Sequence, residues 1–208
     1  LSDRRTLIKY TPIEYYEDIE AAIDEAPFTF VLSKNNWIQL VKGHENLSSI
    51  KYKEGDEEKF ILLVKNTDKV LVASNSGRVF TLSFINMDIS KGFGSPIRIF
   101  IDLPSEDRIV SINIYNENKK LLVAATNNKG FVIPNMKSLL AHTKLGKSVL
   151  DISNNDNLVV FRIIENEDDH IAIIGENHKL LIFNLSELPL QSKGKGVILQ
   201  KVKQGELS

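Results

Sequence analysis

The sequence contains no cysteine. Disulfides, a thiolate nucleophile and a Cys-ligated zinc site are excluded, and a reducing compartment fits the absence. Long apolar runs are missing too. The longest, FILLV from Phe60 and LLVAA from Leu121, are five residues, against the roughly 18 that a membrane-spanning helix needs. With no secretory pattern either, a cytoplasmic location is expected. Charge of one sign is scarce: the formal net charge is -1 over 208 residues, low for a polyanion binder. What is present is ordinary for a globular chain that buries a core, with 42% hydrophobic and 25% charged residues. Because the first residue is Leu1 rather than methionine, an excised piece of a longer polypeptide is expected.

The charge is unevenly spread. Residues 1 to 27 carry seven acidic side chains against Arg4, Arg5 and Lys9, leaving the body mildly basic. Thr11-Pro12-Ile13-Glu14 combines a capping hydroxyl, a proline at the first helical position and a carboxylate three residues after the cap. Ile13, Tyr16, Ile19 and Ile23 follow at helical spacing, and Pro27 marks a stop. The expected organisation is a leader over 1–27 with a short amphipathic helix between Thr11 and Ala26, then a β domain over 28–208.

From Phe28 onward, β-branched and aromatic runs alternate with Asn, Gly, Ser and Asp clusters, the pattern of hairpins. Four segments superpose: FTFVLSKNNWIQL from Phe28, VLVASNSGRVFTL from Val70, LLVAATNNKGFVI from Leu121 and IAIIGENHKLLIF from Ile171. Matching Ser33, Ser74, Thr126 and Gly175 gives spacings of 41, 52 and 49 residues. A second landmark follows the last three copies, as KGFGS from Lys91, KLGKS from Lys144 and KGKGV from Lys193. A period near fifty with about four strands per unit predicts an all-β, propeller-like disc of four to five blades. It is expected to be open or truncated, because the fourth unit reaches Ser208 without its last strands.

Several ordered motifs together resemble one family, the C-terminal domain of the A subunit of bacterial type IIA topoisomerases, topoisomerase IV in particular. Ser2-Asp3-Arg4-Arg5-Thr6 resembles the Asp/Glu-Arg-Arg-Thr sequence where that subunit leaves its coiled coil. SKNNWIQLVKGH from Ser33 is similar to the family's Ser-x-x-Gly-Trp-Ile-Arg-x-x-Lys-Gly-His, with Asn36 and Gln39 as departures. GFVIP at Gly130, GENHKLLIF at Gly175 and GKGVILQ at Gly194 match in order and spacing. The complete Gln-Arg-Arg-Gly-Gly-Lys-Gly box of gyrase is absent, which favours topoisomerase IV.

The resemblance implies a β-pinwheel whose blades exchange strands and whose rim binds and bends DNA. It implies a noncatalytic fragment without a cofactor, since Tyr10, Tyr15, Tyr16, Tyr52 and Tyr115 lack the arginine context of a cleavage tyrosine. The parent would be an ATP-hydrolysing type II topoisomerase, an isomerase using Mg and ATP, the ATP on a partner B subunit. Its partners would be double-stranded DNA, the cleavage domain of the same chain and the topoisomerase IV B subunit in an A2B2 heterotetramer. Its roles would be decatenation, relaxation of supercoils and chromosome segregation. It would be nucleoid-associated, peripheral contact with the inner face of the cell membrane being a further option.

Phosphate chemistry needs cations and closely approaching main chain. Lys193, Gly194, Lys195 and Gly196 offer both. Lys91 with Arg98, and Lys144 with Lys147, follow the same logic. The turn residues Arg78, Lys129 and Lys179, which follow the four-residue turns, Lys42 in the Ser33 motif and the tail Lys201 complete the candidate DNA-binding set. Any one lysine reads as a solvated charge; recurrence of the glycine-lysine loops is what points to phosphate. His44, His142, His170 and His178 lack metal-pair spacing, ENEDD from Glu165 reads as a solvated connection, and Trp37 reads as core. A protein-interaction propeller is the rival function; a propeller hydrolase lacks a converging acid, base and nucleophile.

Overall fold

One left-handed residue decides where each hairpin closes. The computed structural model describes residues 24–45, 47–85, 87–88, 91–152, 156–166, 170–174 and 180–199. Within them β1 (Pro27–Ser33) and β2 (Trp37–Lys42) are joined by three residues, as are β4 (Lys69–Ser74) with β5 (Arg78–Ser83) and β8 (Lys120–Ala125) with β9 (Lys129–Ile133). The third of those residues is Asn36 (φ 62°), Gly77 (φ 77°) or Asn128 (φ 61°). Its amide donates to the carbonyl of Ser33, Ser74 or Ala125 at 3.1, 3.0 and 3.1 Å. Asn and Gly enter this conformation at least cost, and the turn is of the type that closes three-residue hairpins. The sequence alignment is corrected here by one residue: Ala125, not Thr126, stands where Ser33 and Ser74 stand. Left-handed backbone, rather than a small polar side chain, sets the register.

The fourth hairpin pairs β12 (His170–Ile174) with β13 (Leu180–Asn184), from His170 opposite Asn184 to Ile174 opposite Leu180. Its turn, including Gly175, His178 and Lys179, lies outside the described residues, as do Lys201 and the leader through residue 23 with its expected helix.

Around the first three hairpins the remaining strands are β3 (Glu58–Lys65), β6 (Ser95–Pro96), β7 (Ile109–Ile114), β10 (Lys147–Ser148), β11 (Leu158–Ile164) and β14 (Val197–Ile198). The sheets run β3-β1-β2-β6, β7-β4-β5-β10 and β11-β8-β9-β14. The chain forms β6 only after making the β4–β5 hairpin of the next sheet. Strand β10 likewise follows β8–β9, and β14 follows β12–β13. Each of these three sheets is therefore closed by a strand returning from its neighbour, which is the exchange that defines a β-pinwheel and matches the expected fold.

Alternation explains the apolar runs of the central strands. Val70 and Val72 of β4 pack with Phe30, Leu32 and Phe80 in one core, whereas Leu71 and Ala73 pack with Leu121, Val123 and Phe131 in the next. Successive side chains of a strand point to opposite faces, so a strand between two neighbours must be apolar on both. A third core joins Ala124 and Val132 to Leu185 and Leu188. Edge strands β3 and β11 both touch β7, and Ser111 Oγ and Asn113 Nδ2 of β7 donate to the Phe161 carbonyl at 2.7 and 3.0 Å. The β3, β7 and β11 edges thus converge, and β6, β10 and β14 form the opposite, outer edge.

Asp56 ties the first turn to the segment before β3. Its carboxylate accepts the amides of Asn35 (3.0 Å) and Glu57 (2.9 Å). Burial acts to raise its pKa, but the Ser33 hydroxyl, these amides and the Lys53 charge outweigh it and hold the group below its ordinary value. Such a carboxylate contributes stability that is complete above the unfolded pKa, about 3.9, and lost as pH falls through the lower folded value. Asp56→Asn is expected to melt lower than wild type at pH 7, the gap closing towards pH 2. A gap independent of pH in a thermal titration would assign the loss to packing instead.

Candidate nucleic-acid interface

Three glycines shape the outer edge. Gly94, Gly146 and Gly196 have φ of 80°, 66° and 70° and precede β6, β10 and β14. A Cβ on them would stand 2.1 Å from the Ile38 carbonyl oxygen, 2.6 Å from that of Val79 and 2.8 Å from that of Gly130. Those are the residues that pair with Ser95, Lys147 and Val197. Three residues beyond each glycine, the amide of Ile97, Val149 or Leu199 donates to the carbonyl of the left-handed turn residue Asn36, Gly77 or Asn128, at 2.9, 2.9 and 2.7 Å. The repeated box is thus a Gly-x-x-aliphatic clamp that seats the returning strand, and its recurrence has a packing cause.

Superposition on these glycines also revises the loop alignment. Lys91 and Lys193 are equivalent, but Thr143 is their counterpart in the second loop, and Lys144 stands opposite Gly92 and Gly194. Glycine recurs at a fixed place and lysine does not. The amides of Gly94, Gly146 and Gly194 are spent on the carbonyls of Lys91, Thr143 and Val149. These three amides are thereby withdrawn from any ligand, and the loop side chains carry the charge.

The structure gathers most of the candidate cations along the outer edge. Arg78 and Lys129 are not turn residues: each opens a hairpin strand and lies opposite Ser148 and Ile198 of the returning strands. Lys147 belongs to β10, the strand that closes the second sheet. Lys144 Nζ donates to the Ile99 carbonyl at 2.7 Å, Lys147 Nζ to that of Ser138 at 3.3 Å, and Arg78 Nη1 to that of Leu145 at 2.7 Å. Arg98 reaches the carbonyls of Leu103 and Pro104 at 3.2 and 3.1 Å. Lys91, Lys193 and Lys195 are exposed. Among the described residues none of these cations forms an ion pair with a carboxylate, whereas Lys34, Lys65, Lys119 and Lys137 do. Carbonyl partners orient a cation without cancelling its charge. Lys42 is the exception in place, at the far end of β2 from Trp37 and roughly 17 Å along the strand from it.

Several residues escaped the sequence reading. A cleft of about 310 Å³ between the second and third loops is lined by Ser138, Ser148 and Ser192 with Lys147 and Lys193. Trp37, expected in the core, is half-buried, and Lys53 Nζ stands 3.4 Å from its ring centroid. Trp37 occupies in the first sheet the place that Arg78 and Lys129 hold in the others, so Lys53 supplies the cation there. Gln39 is buried and brackets Lys51, donating from Nε2 to its carbonyl at 2.8 Å; this departure from the family motif serves packing. Nothing in the local sequence marks Lys53 or the serines: Lys53 reaches Trp37 from the connection between β2 and β3, and strand exchange brings the serines of the second and third loops to one cleft.

The fold and this edge define a strand-exchanged propeller with a cationic rim. The family model described as DNA gyrase C-terminal domain, beta-propeller, matches residues 169–207. The A subunit of DNA topoisomerase 4 from Rickettsia bellii is 43% identical over 191 residues, covering 91% of this chain and 25% of its own. Its counterpart from Caulobacter vibrioides is 37% identical, covering 91% and 24%. The solved structure of the E. coli ParC C-terminal domain superposes with a TM-score of 0.82 at 27% identity, over 88% of this chain and 78% of that one. The chain belongs to the family of C-terminal domains of gyrase and topoisomerase IV A subunits. It spans about a quarter of the length of the curated relatives it matches.

Proposed function

We propose that this chain is the noncatalytic DNA-binding and DNA-bending module of a topoisomerase IV A subunit. In that role it captures and orients duplex segments for strand passage, decatenation, relaxation and chromosome segregation, which the cleavage domain of the same chain and the B subunit carry out in an A2B2 enzyme. Its setting is the cytoplasm at the nucleoid, and the Mg and ATP of the reaction belong to other parts of that enzyme.

The observation that supports this reading is the outer edge itself. Lysines and arginines from three consecutive sheets stand there with no carboxylate partner among the described residues, Arg78, Arg98, Lys144 and Lys147 being held by carbonyls, and the serine-lined cleft between Lys147 and Lys193 has the donors that a phosphate needs. Side-chain contacts to phosphate carry no base information, so binding is expected to show little sequence preference. Titration of the 208-residue chain with duplex DNA at rising salt is expected to give a log-log slope of about -4 to -5, for roughly four to six phosphates. A flat slope would favour a protein-interaction disc.

A further inference from the structure

We propose that Phe93 and Leu145 are apolar wedges that enter the minor groove of the bound duplex and unstack a base step, so that the first two sheets bend DNA which the lysines hold. The proposal rests on the reading that this rim binds DNA. Phe93, Leu145 and Lys195 occupy one structural place, immediately before Gly94, Gly146 and Gly196. Phe93 is 45% exposed and Leu145 61%. Neither is needed by the core below, which Ile97 and Val149 already fill from the same loops.

Two features separate these tips from ordinary exposed apolar residues. Their loops are braced: Gly94 and Gly146 each donate to the carbonyl three residues back at 3.2 Å, and Arg78 holds the Leu145 carbonyl. A braced tip can transmit force to a base step. Cations also surround them. Lys144 precedes Leu145 and Lys147 follows it, and Lys91 stands two residues before Phe93, none paired with a carboxylate among the described residues. Protein interfaces are depleted in lysine relative to the rest of the surface. Apolar side chains that kink DNA instead work within a cationic surface that grips the flanking backbone. Ile99, 54% exposed and joined to Lys144 through its carbonyl, widens the apolar surface between the two loops. With Lys195 at the tip, the third loop grips without wedging.

The test uses the 208-residue chain and a duplex of roughly 30 base pairs, carrying end-labelled fluorophores for the bend and 2-aminopurine for unstacking. The double variant Phe93→Ala with Leu145→Ala is expected to straighten the complex by at least about 20° and to lose the 2-aminopurine signal, with the salt slope unchanged because no cation is removed. The swap Phe93→Leu with Leu145→Phe is expected to keep the bend. An unchanged bend and unstacking signal in a folded double alanine variant, while lysine variants still weaken binding, would overturn the wedge, leave rim binding standing and return the tips to a protein partner. Absence of salt-dependent binding by wild type would overturn both.

Discussion

Replacing Gly94 by alanine is expected to destabilise the domain by about 3–5 kcal/mol, combining left-handed strain with overpacking, and to lower its melting temperature by roughly 6–20 °C. The new Cβ would stand 2.1 Å from the Ile38 carbonyl oxygen and 2.6 Å from Gln39 Cγ, at φ 80°. Relief requires withdrawing β6, the strand that closes the first sheet, together with the Ile97 amide bond to Asn36. Gly92 is the internal control. It shares the loop and has φ 62°, but a Cβ there meets nothing within 4 Å, so only the left-handed penalty of about 1–2 kcal/mol applies. Thermal melts of the two variants side by side decide the matter. Equal, small losses would mean that the returning strand is not held as described.

The fourfold variant of Lys144, Lys147, Lys193 and Lys195 to alanine is expected to lose DNA affinity by up to about three to four decades at 0.1 M salt, since each phosphate contact contributes roughly 0.9 decade there. Its salt slope should flatten in proportion. Lys144 and Lys147 changed together, or Lys193 and Lys195 together, should give about half of the effect. Distributed contacts are required physically, because bending 20 to 30 base pairs costs on the order of 1 to 6 kcal/mol and one exposed lysine cannot offset that. Folding should survive: the variant gives up two exposed side-chain bonds to carbonyls and keeps the main-chain pairing of Lys147 with Val79. In the full enzyme it should lose decatenation while retaining drug-trapped cleavage. Unchanged affinity and unlinking in a well-folded variant would take these loops off the DNA path.

Hairpins, their number and the family were legible in the residues. A two-residue alternation and a turn that needs Asn or Gly at one place are local matters of backbone stereochemistry, and they repeat in the chain as they do in space. The period near fifty was legible for the same reason. Local pattern misled where two causes write the same residue. Glycine in the Lys91, Lys144 and Lys193 loops suits close approach to a phosphate, yet in the fold it admits a neighbouring strand, as the contacts of Gly94, Gly146 and Gly196 make plain. Thr126 looked like the partner of Ser74 because both are small and polar, whereas the carbonyl accepting from the left-handed residue belongs to Ala125.

By itself the sequence determined the strands, the turns and the supply of cations, since each depends on residues a few positions apart. Only the tertiary structure decided which cations share an edge. Strand β6 of the first sheet follows the second hairpin along the chain, and Lys147 and Lys193 line one cleft between two sheets. Such pairings span some fifty residues of chain and leave no local periodicity. They arise because a sheet with one open edge gains main-chain hydrogen bonds from whichever strand can reach it, and the glycine before each returning strand is what lets its neighbour reach.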